Sequence, residues 1–390
     1  MPGVVAILSL GMVELWDIVG QPAVIAQLAR TLAGQRRPHA YIFAGPEGVG
    51  RRTTAEALAK LLLCEAPAIR RNAGRVPEAP EDMELTQACG QCAGCRAFSA
   101  GTHADYQLVY KELARYSNDQ SVRSRVMQDL GIDVVREFLI APANRRGSLG
   151  RGKVFVVRQA ELMSVAAQNA LLKTLEEPPP GVTIILICPS PEELLPTTRS
   201  RCSLVRFGPL PVDFVTDKVI AAGIEPAQAR FWAAYTAGSV GVSLRMAAKG
   251  VYATKRELVD RLAALAQSAD PELGEWLAGQ AETLADGFTS EDAQLARSLA
   301  TRQAAGMMLG LIGSVYRDAM ALSAGASGEI IHSDQYDAIA RIAQRMGANT
   351  SAEIVTQLAR YEQLLWSNVN PKVVWDNLVI TCATGAPLDV

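Results

Sequence analysis

The segment Gly45-Pro46-Glu47-Gly48-Val49-Gly50-Arg51-Arg52-Thr53 constrains the fold more than any other stretch of the chain. The apolar run Ala40–Ala44 precedes it and a helical pattern over Thr54–Leu63 follows. This order predicts a buried strand, a tight turn and a helix. In a glycine frame of this kind, backbone N–H groups close round phosphates. A lysine after the last glycine reaches the β and γ phosphates, and the next Ser or Thr hydroxyl holds Mg²⁺. Here Arg51 stands at the lysine position and Arg52 at the hydroxyl position. A guanidinium pairs with phosphate but has no lone pair to offer a cation. Gly45, Gly48, Gly50, Arg51 and Thr53 thus outline a nucleotide site by descent, without showing that one is still used. A turn that needs glycine only for positive φ leaves the same pattern.

A second apolar run, Lys153–Val157, opens the stretch Lys153–Met163. A P-loop ATPase ends this strand with two acids, one for Mg²⁺ and one to orient the attacking water. Arg158 and Gln159 stand there instead, and the nearest acid, Glu161, is expected on the following turn. A third run, Thr183–Ile187, completes the clear strands. None of the three alternates apolar with polar residues, as suits parallel strands buried on both faces. After Gly208-Pro209-Leu210-Pro211 the strand signal ends. Helical patterns follow over Phe214–Ala248 and Thr254–Thr381, the latter with a stripe of Ile354, Leu358, Tyr361 and Leu365 that reads as core packing. Arg70–Leu85, rich in Pro, Ala and Glu, reads as a loop. Lys111–Gln128 is polar and basic, and Arg145–Lys153 is rich in Gly and Arg.

Cys89, Cys92 and Cys95 recur at three-residue spacing, and Cys64 ends the helical stretch after the glycine loop. Four thiolates satisfy tetrahedral Zn²⁺ and leave no open position for catalysis, so a structural zinc is expected. His103 is the alternative fourth ligand, with Cys64 preferred. Cys188, Cys202 and Cys382 read as isolated thiols.

The 390 residues are 49% hydrophobic and 20% charged, which suits two or three folded domains and excludes general disorder. The net charge of −2 gives no global pull toward nucleic acid or membrane. Val4–Leu10 is apolar but short and lacks a basic leader, so it reads as an extension before a start near Met12. A soluble, cytoplasmic chain with reduced cysteines is expected.

Ala166–Pro179 (AAQNALLKTLEEPP) and Pro191–Cys202 (PEELLPTTRSRC) resemble the bacterial DNA polymerase III clamp-loader family, most closely its delta-prime type of subunit. Trp16–Gln21 (WDIVGQ), His39–Gly50, the cysteine set and Asn370–Leu378 (NPKVVWDNL) are similar to the same family. The resemblance runs from Trp16 to the C-terminal region. It implies an α/β AAA+ module over 1–209, with the zinc segment at about 64–95, a helical lid over 210–252 and an α-helical collar over 253–390. It further implies a hetero-pentameric ring with delta-type and gamma/tau-type partners. Through that ring the sliding clamp is placed on primer–template DNA. In the SRC motif, Ser200, Arg201 and Cys202, the arginine is the family's finger, offered in trans to ATP on a neighbouring subunit. Motor subunits keep the loop lysine, the hydroxyl, the acidic pair and an arginine in a Gly-Ser-x-Arg lid motif. The equivalent stretch here is Gly238-Ser239-Val240-Gly241. Ile187-Cys188-Pro189 likewise lacks the polar residue usual after the fourth strand. These departures favour a non-hydrolysing subunit. The alternatives are an active gamma/tau-type ATPase with a divergent loop, and a stand-alone nucleic-acid binder, against which the near-neutral charge argues; Arg145, Arg146 and Arg151 are candidates for DNA contact inside the assembled ring and otherwise read as a solvated loop.

Overall fold

The computed structural model describes residues 13–386 except 35–36, 77, 124–128, 150, 266–270, 292–295, 327–329 and 368. The run Val4–Leu10, Met12 and the end of the Lys111–Gln128 stretch lie outside the described residues. The chain divides into two compact units. One comprises Met1–Phe214 and Gly238–Val242, the other Val215–Ala237 and Ser243–Val390.

Among its described residues the first unit has seven strands: β1 (Ala40–Ala44), β2 (Ala68–Arg71), β3 (Glu84–Gln87), β4 (Tyr106–Val109), β5 (Lys153–Val157), β6 (Val182–Cys188) and β7 (Ser203–Arg206). Five form a sheet in the order β4-β5-β6-β1-β7, every neighbouring pair parallel. In register, Ala40 lies opposite Ile184 and Tyr41 opposite Ser203. All five residues of β1 are buried, as are the last four of β5. Burial on both faces is why these strands are continuous aliphatic runs. β1 and β5 have the limits expected from sequence, and β6 extends one residue beyond each end. β4 had no clear signal.

Arg70–Leu85 is not a simple loop. Arg70 and Arg71 lie in β2 and Leu85 in β3, which pair as an antiparallel hairpin. Asn72 organises the connection. Its amide donates to Val76 O, Ala79 O and Pro80 O at 2.9–3.0 Å, and its Oδ1 accepts from Val76 N at 2.6 Å. Trp16 Nε1 donates to Thr86 O at 2.9 Å, fastening the WDIVGQ segment to the hairpin.

At the N-terminal ends of the parallel strands the helices present their C-terminal carbonyls. A cleft of about 440 Å³ there is lined by Arg37, His39, Arg151 and Lys153. Each of these bonds a carbonyl at or just beyond a helix end. Arg37 donates to Leu32 O, His39 to Leu175 O, Arg151 to Cys64 O and Lys153 to Pro142 O, at 2.8–3.2 Å. Cations there offset the negative end of the helix dipole.

The second unit is helical. Pro226–Tyr235 and Val240–Ala248 contribute Phe231, Trp232 and Ala247 to one core with Leu258, Ile312, Ile339, Ile354 and Trp375 from the later helices. Segments 210–252 and 253–390 therefore share apolar packing. The expected stripe is inside: Ile354, Leu358 and Tyr361 are buried and Leu365 packs against the cluster. Gly347, at φ 67°, kinks the long stretch Tyr336–Trp366. Asn370 caps the Pro371–Thr384 helix by accepting from Lys372 N at 3.0 Å.

A polar network runs through this core. Lys255, 0% exposed, donates to Asp334 at 2.6 Å and lies 4.1 Å from the Phe231 ring centroid. Tyr252 Oη donates to Asp334 at 2.8 Å. His332 Nδ1–H donates to Asp318 Oδ2 at 2.9 Å, and His332 N to the same oxygen at 2.8 Å. Burial pushes His332 below the ordinary histidine value. Lys255 adds to this, while Asp318 and Asp334 oppose it. The unfolded chain therefore takes up a proton that the folded chain resists. This stability is full above about pH 6.5 and is lost as pH falls through the lowered folded value. Calorimetry across that range should show the loss on the acid side. His332→Gln, which keeps a donor toward Asp318, should flatten the dependence.

Candidate functional site

The glycine loop lies between β1 and the Arg51–Leu62 helix. Gly45, at φ 148°, sits so close to β7 that a Cβ would lie 2.3 Å from Phe207 O. Gly48, at φ 75°, packs on the Gly238–Gly241 turn, where a Cβ would meet Ser239 Oγ at 2.1 Å. The Gly241 N–H donates back to Gly48 O at 3.3 Å. Gly50 caps the helix at φ 99°. Gln21 fastens the arrangement, its Nε2 donating to Val49 O at 3.2 Å and Gly208 O at 2.7 Å, and its Oε1 accepting from Gly208 N at 3.2 Å.

Arg51 is buried, and its Nη1 donates to Cys188 O at the end of β6. Gly45 N donates to the same carbonyl at 3.3 Å. Burial lowers the Arg51 value, opposed by the charges of Glu161, Glu47 and Glu193. Glu161 lies on a 3₁₀ turn, Ala160–Leu162. Burial raises its carboxyl, and Arg51 opposes the shift. Arg52, by contrast, is half exposed and pairs with Glu56 at 2.7 Å one turn along. Thr53 lies in the first turn of the helix.

Arg158 follows β5, its guanidinium 5.9 Å from the Tyr110 ring centroid. Gln159 is left-handed at φ 52°. At the end of β6, burial pushes the Cys188 thiol up to about 12. The equivalents of the acidic pair are thus a cation over an aromatic face and a strained turn residue. Sequence reasoning did not foresee that Glu161 and Arg51 would meet electrostatically across the loop.

Arg201 follows the Pro196–Arg199 turn of helix, partly exposed. Its Nε donates to Glu176 Oε1 at 2.8 Å, and its Nη1 to Thr197 O at 2.8 Å and Ser200 Oγ at 3.1 Å. Cys202 lies beside it with its thiol pushed up to about 12 by burial. Arg145 and Arg146 are exposed. Arg151 caps the Cys64 carbonyl.

Cys64, Cys89, Cys92 and Cys95 bring their sulfurs within 4.8 Å of one another. Cys64 lies just past the Arg51–Leu62 helix. Cys92 Sγ accepts from Cys95 N at 3.3 Å, capping the Ala93–Ser99 helix. The Cys64–Cys92 and Cys89–Cys95 sulfur pairs are each 4.0 Å apart. A tetrahedral ion with arms of about 2.3 Å needs edges of about 3.8 Å, so the donor set fits Zn²⁺. Backbone N–H groups of Gln91 and Cys92 pull Cys89 down to about 6. Burial pushes Cys95 the other way. His103 is outside the group; its Nδ1 accepts from Asp105 N at 3.1 Å.

A family model described as DNA polymerase III, delta subunit matches residues 20–211, and one described as DNA polymerase III, delta subunit, C terminal matches residues 281–382. With the parallel sheet and the glycine loop, these define an α/β module followed by helices, of the DNA polymerase III delta class. DNA polymerase III subunit delta' of Pseudomonas aeruginosa is 34% identical over 225 residues, covering 57% of this chain and 60% of that protein. The Bacillus subtilis delta' subunit is 25% identical, covering 94% and 97%. The chain belongs to the DNA polymerase III delta-prime family. Tau of Escherichia coli is 34% identical over 186 residues, 48% of this chain and 24% of tau. The match thus spans less than two thirds of the Pseudomonas relative. Among the described residues no helix is long and apolar enough to cross a membrane.

Metal analysis of protein purified under reducing, zinc-replete conditions should give about one Zn²⁺ per chain. Cys95→Ser should lower metal content and melting temperature together. Full stability without metal would remove the site.

Proposed function

We propose that this chain is a clamp-loader subunit that hydrolyses no ATP itself and supplies Arg201 in trans to ATP held by a neighbour. The carrying observation is the contrast between two arginines. Arg51 is buried and turned toward Cys188 O, whereas Arg201 is displayed at the surface. A guanidinium fixed on a main-chain carbonyl lies close to the position where a loop lysine would meet phosphate. Arg52 and Arg158 offer no oxygen in place of the usual Mg²⁺ ligands, and Gln159 offers only a neutral amide oxygen where a carboxylate is usual. Arg201, once in an assembly, would stabilise charge on the transferring phosphoryl group.

The likeness to delta' and tau subunits supports delta-type and gamma/tau-type partners in a hetero-pentameric ring. In that ring the clamp and primer–template DNA are handled jointly. The Cys₄ group, loaded with Zn²⁺, would be structural: its closed donor set ties the Cys89–Cys95 segment to the end of the glycine-loop helix. The exposed Trp366, Val369 and Val373 near the C-terminus support a subunit-contact role for the helical unit.

Mg·ATP binding and turnover by the isolated chain test the first half of the reading. Neither is expected; turnover abolished by changing Arg51 would make the chain a motor. In the reconstituted loader, Arg201→Ala should leave assembly intact and lower DNA-stimulated turnover by about 10³-fold or more at the site it serves. Unchanged turnover would end the trans role.

A further inference from the structure

The geometry points to Glu176 as a latch on Arg201. In the chain alone it holds the guanidinium at home, and the finger reaches a neighbouring phosphate only by leaving it. This inference rests on the trans role proposed for Arg201.

Glu176 is the last residue of the Val165–Glu176 helix, which stops before Pro178-Pro179-Pro180. A residue preceding proline is driven out of the helical region, and Glu177 has φ −124° and ψ 71°. The helix C-terminus carries partial negative charge, so a carboxylate is unfavourable there unless a cation answers it. Lys173 in the same last turn is what the dipole favours. Glu176 does not serve the helix; it serves what approaches from outside.

What approaches is Arg201. Nε and Nη2 converge on one carboxylate oxygen, Oε1, with Nε at 2.8 Å. Nη1 turns the other way, to Thr197 O and Ser200 Oγ. All three nitrogens of the guanidinium are thereby occupied within the chain. A phosphoryl oxygen offers the same chemistry as Oε1, an anionic acceptor for the guanidinium fork. The two compete for one set of donors.

The pair is built to release. The side chains are 32% and 47% exposed, so solvent screens their attraction. An exposed ion pair shifts an equilibrium by at most about fivefold. That is enough to bias an unengaged finger and too little to resist a bound nucleotide. Glu176 is therefore a positioning residue, touching the arginine and never the phosphate.

The test is a double-mutant cycle in the loader reconstituted with its cognate subunits. Wild type, Glu176→Gln, Arg201→Ala and the double variant are compared for ATP turnover without DNA, across ATP concentration. Glu176→Gln should raise kcat by about two- to fivefold with KM unchanged. The double variant should match Arg201→Ala alone, and Glu176→Asp should keep the low wild-type kcat. Unchanged or reduced kcat in Glu176→Gln overturns the latch. So does a rise that persists without Arg201. Wild-type turnover in Arg201→Ala overturns the trans role itself, and the latch falls with it.

Discussion

A guanidinium taken out of water has to be matched inside the protein, and at the tip of the glycine loop Cys188 O and Glu161 do the matching. An unmatched buried charge costs several kcal/mol. Three parts of the first unit are therefore tied to one side chain: the loop that carries Arg51, the end of β6 that offers the carbonyl, and the turn after β5 that brings Glu161. Gly45 N shares the same carbonyl, and Gln21 holds Val49 and Gly208 on the far side of the loop. In a motor, loop and strand ends would be held in register partly by nucleotide and metal. Here Arg51, Gln21 and the Gly45 N–H tie the loop to the strand ends directly.

Much of this was legible in the chain. β1 and β5 were clear because doubly buried parallel strands are uninterrupted aliphatic runs. Cys89, Cys92 and Cys95 were clear because so compact a triplet is rarely coincidental, whereas the choice of Cys64 over His103 is settled only by the distances. The glycine frame was clear because Gly45 and Gly48 occupy places where a Cβ would strike Phe207 O and Ser239 Oγ. What was missed depends on single long-range contacts. The β2–β3 hairpin is strung on the amide of Asn72, and no periodicity announces one buried side chain that replaces a core. β4 is too short and too little buried to show a run. The Glu176–Arg201 and Arg51–Glu161 relations join residues 25 and 110 positions apart in sequence, which no local pattern encodes.

Besides the buried Arg51, the sheet unit places several cations at helix ends, where Arg37, Arg151 and Lys153 answer backbone carbonyls in a half-open cleft. Solvent is near, so each such contact is worth only a few tenths to about 1 kcal/mol. The helical unit buries Lys255 and His332 among aromatic rings and compensates each with a carboxylate. Replacing such a pair with apolar residues is often harmless, but removing one member is not. Asp334, on the turn before the Tyr336–Trp366 helix, meets Lys255 of the Val251–Ala264 helix at 2.6 Å, so the pair joins two helices across the core.

Burial explains why two arginines of one chain have opposite chemical prospects. Arg51 is held by a main-chain carbonyl at the end of β6 and is largely shielded from water. Arg201 is held by a carboxylate that water screens, so exchanging that partner means only rotating a side chain. Charge, length and hydrogen-bonding capacity are the same in both. The difference lies in the dielectric around them and in the stiffness of what they grip. A sequence comparison that scores both positions simply as arginine would miss this difference.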